Sequence, residues 1–245
     1  MRIDASNLHY SELNRLVRDA VAAGETKFEL AGVNGQRYIA DGLRGDLEFD
    51  VMGVPGNDLG AFMDGPTVRV HANAQDAVSN TMNGGRIVIH GHAGDVLGYG
   101  MRGGELFVRG RVGYRVGIHM KAYRNSFPVL IAGGTAGDFL GEYMAGGLLI
   151  MLGLDRRPGE PLVGRWCATG MHGGTMFLRG EVEPSRLASK FVSVRPADEA
   201  DWKLMKPYLE AYCEAFSLPP ATLDGVPFLR VAPTSHRPFG AKYAS

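Results

Sequence analysis

Methionines recur at a fixed interval, and this repeat constrains the fold more than any other feature of the chain. The pattern has six members: Met63, Met82, Met101, Met120, Met144 and Met171. The first four are each 19 residues apart, and the last two follow after gaps of 24 and 27. Around the methionines recur a preceding glycine or small residue, a short apolar run and, after four of the six, a glycine pair. Repeats of this length are typical of solenoids, in which one repeat buries its apolar face only against its neighbours.

The glycine pair and the apolar run together predict a β-solenoid. Glycine makes up 35 of 245 residues, about twice its usual share of roughly 7 %. A 19-residue unit is too short for two helices, and runs of Ile, Val, Leu and Phe suit short strands. We therefore expect a single-stranded parallel β-helix of about six to eight coils, with two short strands and two corners per coil. The predicted corner glycines are Gly84, Gly85, Gly103, Gly104, Gly146, Gly147, Gly173 and Gly174.

Positive φ is the expected reason for these glycine pairs, because only glycine adopts it freely. Valine at Gly103 or Gly146 should then force a strained backbone and lower the free energy of unfolding by roughly 1–3 kcal/mol.

Alternation within the apolar runs assigns two faces to each strand. The inward set, which should pack with the methionines, is Val68, Val70, Ile87, Ile89, Leu106, Val108, Met176 and Leu178. The opposite positions form an outward apolar stripe that consists of Val88, Phe107, Ile150 and Phe177. A contiguous stripe indicates contact with another surface. That surface is either a partner protein or the chain's own terminal segments, and the sequence leaves both open.

The ends of the chain differ from the repeats and divide it into three parts. Residues 1–27 should contain an amphipathic helix over 11–23, with Ser11 as N-cap and Gly24 as the stop, that caps the open end of the solenoid. The β-helix should cover 28–185, with loops projecting at 121–127 and 155–161. Residues 186–245 should form a helix over 197–216, kinked or divided at Pro207, and an extended tail that includes 237–243.

Three motifs could indicate a binding or catalytic site, but the repeat offers a structural explanation for each of them. Residues 98–103 match G-x-G-x-x-G, but a strand follows the glycines where a dinucleotide site needs a helix. His90 and His92 could suggest a metal, yet His71 lies one repeat before His90, so a stack of surface histidines explains them. A third set of equivalent positions is expected to form turns rather than an acid–base pair: Asp76, Asp95 and Asp138.

Cys167 and His172 are close enough in sequence to raise the question of a nucleophilic dyad. A dyad needs hydrogen-bond reach and an orienting third group, and the sequence gives no sign of either. The favoured interpretation is that both are corner or interface residues. We therefore predict no catalytic, cofactor-binding or metal site in this chain.

Cysteine count and charge exclude several other classes. Cys167 and Cys213 are too few for a disulfide framework or an iron–sulfur cluster. The 26 basic and 26 acidic residues balance, which argues against nucleic-acid or membrane partners. The absence of an apolar leader after Met1 and the reduced cysteines predict a cytoplasmic protein.

The repeats resemble the GXGXG domain, the C-terminal β-helix of the glutamate synthase large subunit, and its free-standing form in split, archaeal-type enzymes. The similarity covers roughly residues 28–185 and is clearest at 33–39, 59–62 and 141–147. It implies a right-handed coil and a scaffolding role in glutamate biosynthesis and nitrogen metabolism, with no catalytic residue to carry over. The implied partners are a glutamine amidotransferase subunit and a synthase subunit, and the FMN and iron–sulfur clusters are expected in the latter.

Two alternatives and one open question accompany this expectation. A related β-helix is found as a subunit of formylmethanofuran dehydrogenase and of the formyltransferase/hydrolase complex. A β-helix acyltransferase or sugar-active enzyme that uses Cys167 or His172 is a rival from another class, but acyltransferase solenoids advance by hexapeptides, which give 18 residues per coil instead of 19. The sequence does not decide whether copies of the chain associate with each other.

Overall fold

The chain folds as a mostly-β solenoid in the computed structural model, which describes residues 1–188 and 190–235. One sheet of eleven strands runs through this part of the chain, in the order β1 to β9, then β11 and β10. The strands are β1 (Arg2–Asp4), β2 (Lys27–Asn34), β3 (Glu48–Val54), β4 (Thr67–Val70), β5 (Arg86–Ile89), β6 (Glu105–Val108), β7 (Val129–Ala132), β8 (Ala145–Met151), β9 (Gly173–Arg179), β10 (Val192–Pro196) and β11 (Phe228–Pro233). The helices are α1 (Tyr10–Ala22) and α2 (Glu199–Ala215).

The register of the parallel strands confirms that one repeat is one coil. Val68 pairs with Ile87, and Ile87 pairs with Leu106, so residues 19 apart lie on neighbouring strands. Leu106 then pairs with Leu130, because residues 121–127 add a loop between them. All six repeat methionines are at most 3 % exposed, and the eight residues predicted to point inward are 0 % exposed. The methionines and the inward strand residues therefore fill the centre of the solenoid.

The prediction of a second strand in each coil is wrong. Opposite the sheet, each coil closes with a corner in which the residues five, three and one before the methionine have positive φ. Before Met120 these are Arg115 (55°), Gly117 (74°) and His119 (54°). Their N–H groups donate alternately to the next and the previous coil, to the oxygens of Asp138, Leu97 and Glu142 at 2.9, 2.8 and 3.0 Å. The corner thus satisfies its backbone groups without a strand.

Many of these left-handed positions hold residues other than glycine. Examples that lie five residues or one residue before a repeat methionine are Asp58, Phe62, Val96, Arg115, His119, Phe139, Tyr143 and Trp166. A left-handed conformation costs an L-residue about 1 kcal/mol or more relative to glycine. The hydrogen bonds between coils hold the backbone in place in spite of this strain.

The two glycines of each pair are required for different reasons, and the sequence analysis identified only one of these reasons. The second glycine has positive φ, as at Gly104 (78°) and Gly147 (89°). The first glycine does not. A Cβ at Gly103 would overlap the carbonyl oxygen of Asn83, in the backbone of the preceding coil. Strained φ is therefore the wrong explanation for Gly103 and Gly146, where the close approach of two coils requires glycine.

The N-terminal segment closes the first end of the solenoid. Strand β1 pairs in parallel with β2 and adds a strand that the sequence analysis did not predict. Leu13 and Val17 of α1 are buried in the main apolar core, and Gly24 has positive φ (94°) just after the helix, as predicted. The N-cap is His9 and not Ser11, whose hydroxyl lies 2.7 Å from the His9 ring.

The C-terminal segment closes the other end and folds back over the sheet. Strand β11 pairs antiparallel with β9, and β10 pairs with β11. Helix α2 begins with a capping box between Asp198 and Asp201 and continues through Pro207 without dividing. Ser189 and residues 236–245, which include most of the predicted tail, lie outside the described residues. In the part of the chain that is described, none of the helices has the length and apolar character needed to cross a membrane.

Candidate functional site

The apolar stripe on the sheet is not a free surface. Val88, Phe107, Ile150 and Phe177 are all at most 4 % exposed, because α2 packs across them. The ring of Tyr212 in α2 lies 5.8 Å from that of Phe107, and its hydroxyl donates to the Val108 carbonyl at 3.2 Å. The four stripe residues were candidates for an intermolecular interface. The chain's own C-terminal helix covers them instead, which was the second of the two interpretations.

Cys167 and His172 do not form a reactive pair. The Cys167 side chain lies fully buried in the core, and burial raises the pKa of its thiol to about 12. A nucleophilic cysteine has to be a thiolate near neutral pH, so this thiol is inert. His172 is half-buried, and its Nδ1 lies 3.1 Å from the Gly170 carbonyl oxygen. Burial also removes Cys167 from the candidate interface residues, whereas His172 stays at a corner.

The repeated aspartates join successive coils. Asp76 Oδ1 accepts a hydrogen bond from the Asp95 N–H at 2.8 Å, and Asp95 Oδ1 accepts one from the Tyr114 N–H at 2.8 Å. Asp138 does the same for the N–H of Arg165 at 2.7 Å. Carboxylates that satisfy backbone donors in this way have a structural task, but they bridge neighbouring coils and do not form the local turns that were predicted for them.

Replacing Asp95 with alanine is expected to lower the free energy of unfolding by about 1 kcal/mol, because the Tyr114 N–H loses its acceptor. Asp95→Asn keeps an acceptor oxygen at the same place and should leave stability close to that of the wild type. Urea unfolding of the two variants checks this. Equal losses in both would mean that the negative charge matters and the hydrogen bond does not.

The histidines and the glycine motif are likewise explained by contacts between coils. The rings of His71 and His90 stack at 5.3 Å, and burial lowers the pKa of His90. His92 Nδ1 accepts from the N–H of Arg111 at 2.9 Å. Within the motif at 98–103, the N–H groups of Gly98 and Gly100 donate to neighbouring coils at 2.9 Å and so cannot bind a phosphate. Among residues 1–188 and 190–235, no cluster of three or more His, Cys, Asp or Glu side chains is placed to hold a metal ion.

A different surface, on the left-handed corners, presents exposed rings and cations together. The rings of Tyr99 and His119 meet edge to face at 5.8 Å, and those of His119 and Tyr143 stack at 5.3 Å, over three successive coils. Beside them, one residue after a methionine, lie the cations Arg102 and Lys121, and the loop at 121–127 is exposed throughout. We call this surface the corner face; its residues are Tyr99, Arg102, His119, Lys121, Arg124 and Tyr143.

The second predicted loop, at 155–161, lines a surface cavity of about 780 Å³ near the last coils. Its walls carry both signs of charge, among them Arg156, Glu181 and Glu183. Glu160 is already paired with Arg111 at 3.0 Å. The cavity therefore offers no concentrated charge to a ligand, and the corner face is the stronger candidate.

Comparisons with known sequences agree with the repeat pattern. The model of the GXGXG motif family matches residues 22–223. Protein MJ1350 of Methanocaldococcus jannaschii is 49 % identical over 249 residues, which cover 98 % of this chain and 95 % of that protein. Ferredoxin-dependent glutamate synthase 2 of Synechocystis is 34 % identical over 161 residues. That match covers 62 % of this chain but only 10 % of the synthase, so it concerns one region of a much longer protein.

A solved structure shares the fold across nearly the whole chain. It is a chain of the formyltransferase/hydrolase complex (FhcABCD) of Methylorubrum extorquens, determined in complex with methylofuran. The TM-score is 0.64, and the match covers 92 % of this chain and 88 % of that one. The sequence identity is 19 %, so this likeness concerns the fold alone.

Proposed function

The chain belongs to the GXGXG motif family, and from this premise we propose that it is a non-catalytic structural subunit of a glutamate synthase-type complex. Its task is to hold a glutamine amidotransferase chain and an FMN- and iron–sulfur-containing synthase chain in register. Ammonia released by the first chain can then reach the second without loss to solvent. The similarity to one region of a glutamate synthase is the observation that carries the proposal.

The chemistry of the side chains supports a scaffolding role and not a catalytic one. The repeated aspartates accept backbone N–H groups of the next coil, and Cys167 is a buried, protonated thiol. An iron–sulfur cluster of the usual kind needs four ligands, and the chain has two cysteines, both buried. The iron–sulfur clusters of the proposed complex would therefore be bound by a partner chain, to which we also assign the flavin.

The stacked coils are mechanically suited to this task. Hydrogen bonds connect neighbouring coils on two sides, in the sheet and at the corners. Surfaces on different coils are thereby held at fixed distances, about 4.8 Å per coil. A rigid body of this kind positions its partners without taking part in proton or electron transfer.

The isolated chain is expected to show no glutaminase or glutamate synthase turnover and to bind no flavin. Purified from its native cells under mild conditions, it should instead migrate with larger chains that mass spectrometry identifies as a flavoprotein synthase and an amidotransferase. The assembly should produce glutamate from glutamine and 2-oxoglutarate, and removal of this chain should lower that rate. A yellow, active preparation of the isolated chain would refute the proposal.

A second candidate function is the corresponding subunit of a formyl-transfer complex. The fold shared with a chain of the formyltransferase/hydrolase complex favours it. The same purification separates the two candidates, because the co-purifying chains would then carry formyl-transfer activity and the assembly would make no glutamate.

A further inference from the structure

We propose that the corner face is the surface by which this chain holds a partner protein of its complex, and that this partner presents carboxylates between apolar side chains there. This inference rests on the proposed function, because it assigns a surface to the assembly described above. Three observations support it: the exposure of adjacent rings, a group of cations that form no ion pair among the described residues, and bulky side chains at positions that suit glycine.

The rings form a continuous exposed column. Tyr99 and Tyr143 are 40 % and 44 % exposed, and His119 between them is exposed as well. Because their backbones belong to successive coils joined by hydrogen bonds, the three rings are held rigidly. Aromatic side chains that keep their position before binding lose little conformational entropy on association and are enriched at protein interfaces.

The cations of the corner face are not neutralised by carboxylates among the described residues. Arg102, Lys121 and Arg124 make no ion pair with any residue of 1–188 or 190–235. The carboxylate of Glu142 on the same corner is buried and already lies 3.4 Å from the Arg115 guanidinium. Charges that cross an interface steer association and select complementary partners. A surface with carboxylates is therefore the complement of this one.

The backbone beneath two of the rings suits glycine better than an aromatic residue. His119 (φ 54°) and Tyr143 (φ 52°) have left-handed conformations, and the equivalent positions in other coils are occupied by Gly100 (58°) and Gly170 (67°). The fold therefore accepts glycine at this position and is strained by a larger residue. A ring at this position therefore costs stability within the chain, and contact with a partner would offset that cost.

The observations favour a protein over other occupants. Single-stranded nucleic acid also stacks on aromatic rings, but it is bound by basic grooves that follow its backbone. This chain has balanced charge, 26 basic and 26 acidic residues, and the corner face has three cations. A second copy of the chain would bring a cationic face against a cationic face, which disfavours self-association through this surface.

The test compares two disruptive variants with a matched control, using the partner chain from the purification above that binds the isolated wild-type chain. Tyr143→Gly removes a ring and relaxes the backbone, and Lys121→Glu with Arg124→Glu reverses two exposed charges. Phe62→Gly is the control. Phe62 also directly precedes a repeat methionine, is left-handed (57°) and 53 % exposed, but it lies outside the corner face, and the residue after its methionine is Asp64 instead of a cation. Affinity, circular dichroism and melting temperature are measured for each.

Tyr143→Gly and the charge-reversal variant are each expected to weaken binding of the partner about tenfold or more, with melting temperatures close to that of the wild type. Wild-type binding should weaken as salt rises, and the control should bind like the wild type. If the wild type binds the partner and both variants bind it equally well, the corner face is not the docking surface, while the proposed function stands. If the wild type binds no such partner, the proposed function fails and this inference with it. Binding of an oligonucleotide, or self-association lost in Tyr143→Gly, would also overturn the inference.

Discussion

Replacing Gly103 with valine is expected to lower the free energy of unfolding by about 3 kcal/mol. A Cβ at this position would overlap the Asn83 carbonyl oxygen and lie 2.9 Å from the Ser126 Cβ. The overlapped oxygen belongs to the backbone of the preceding coil, so it cannot move away as a flexible side chain would. Separation of two coils would also weaken the hydrogen bonds between them. Urea unfolding monitored by circular dichroism measures the loss.

Gly100→Asn is the matched control for this prediction. Gly100 has positive φ (58°), and a Cβ there would meet only the Thr81 hydroxyl at 3.6 Å. Asparagine tolerates the left-handed conformation, so the expected loss is less than about 1 kcal/mol. If Gly100→Asn were the more damaging variant, positive φ and not the approach of the coils would be the reason for glycine at these corners.

Replacing Tyr212 with alanine is expected to lower the free energy of unfolding by about 3–5 kcal/mol, the usual cost of truncating a large buried aromatic residue. Tyr212 is 0 % exposed and lies between Phe107 of the sheet and Phe216, whose rings are 5.8 and 4.7 Å from its own. Its loss should loosen α2 and expose the apolar stripe, which increases binding of a hydrophobic dye.

Tyr212→Phe keeps the ring and removes only the hydroxyl. The Val108 carbonyl still accepts from the N–H of Gly133 at 2.8 Å, so the expected loss is about 0.5–1.5 kcal/mol. Comparable losses in the two variants, or no dye binding by Tyr212→Ala, would contradict the view that α2 is held on the sheet chiefly by apolar contact.

The sequence alone was enough to predict the centre of the solenoid. The 19-residue spacing of the methionines and the alternation of Val68, Ile87 and Leu106 determine the register and the inward face, and both are confirmed. These features follow from a strict period, which is visible in a single sequence. The insertions before Met144 and Met171 were also visible as changes in that period.

Features outside the period were harder to predict. The corners have residues as different as Arg115 and Gly117 in the same left-handed conformation, so composition does not reveal their backbone. The pairing of β11 with β9 joins residues about fifty positions apart without any repeat. The stripe at Phe107 and Phe177 was recognised, but the choice between a partner and α2 depended on where the C-terminal helix packs.

The corner face was missed for a related reason. The sequence analysis looked for side chains with reactive chemistry, and Tyr99 and Tyr143 have none in this setting. The signal becomes visible when the coils are aligned on their methionines: rings precede Met101, Met120 and Met144 by one or two residues, and Arg102 and Lys121 follow directly. The alignment does not show that these side chains are exposed, which required the structure.

The most direct test of the account is whether residues one repeat apart lie on neighbouring strands. Thr67 pairs with Arg86, which pairs with Glu105, at partly exposed positions of the sheet. Neighbouring strands are about 4.8 Å apart, within the range of about 4.4–6.8 Å between Cα atoms that a disulfide spans. After mild oxidation, the variant Thr67→Cys with Arg86→Cys should form a disulfide, detected by mass spectrometry, and keep its fold. The variant Thr67→Cys with Glu105→Cys, two coils apart, should keep both thiols. A disulfide in the second variant and not in the first would contradict the stacking on which the account depends.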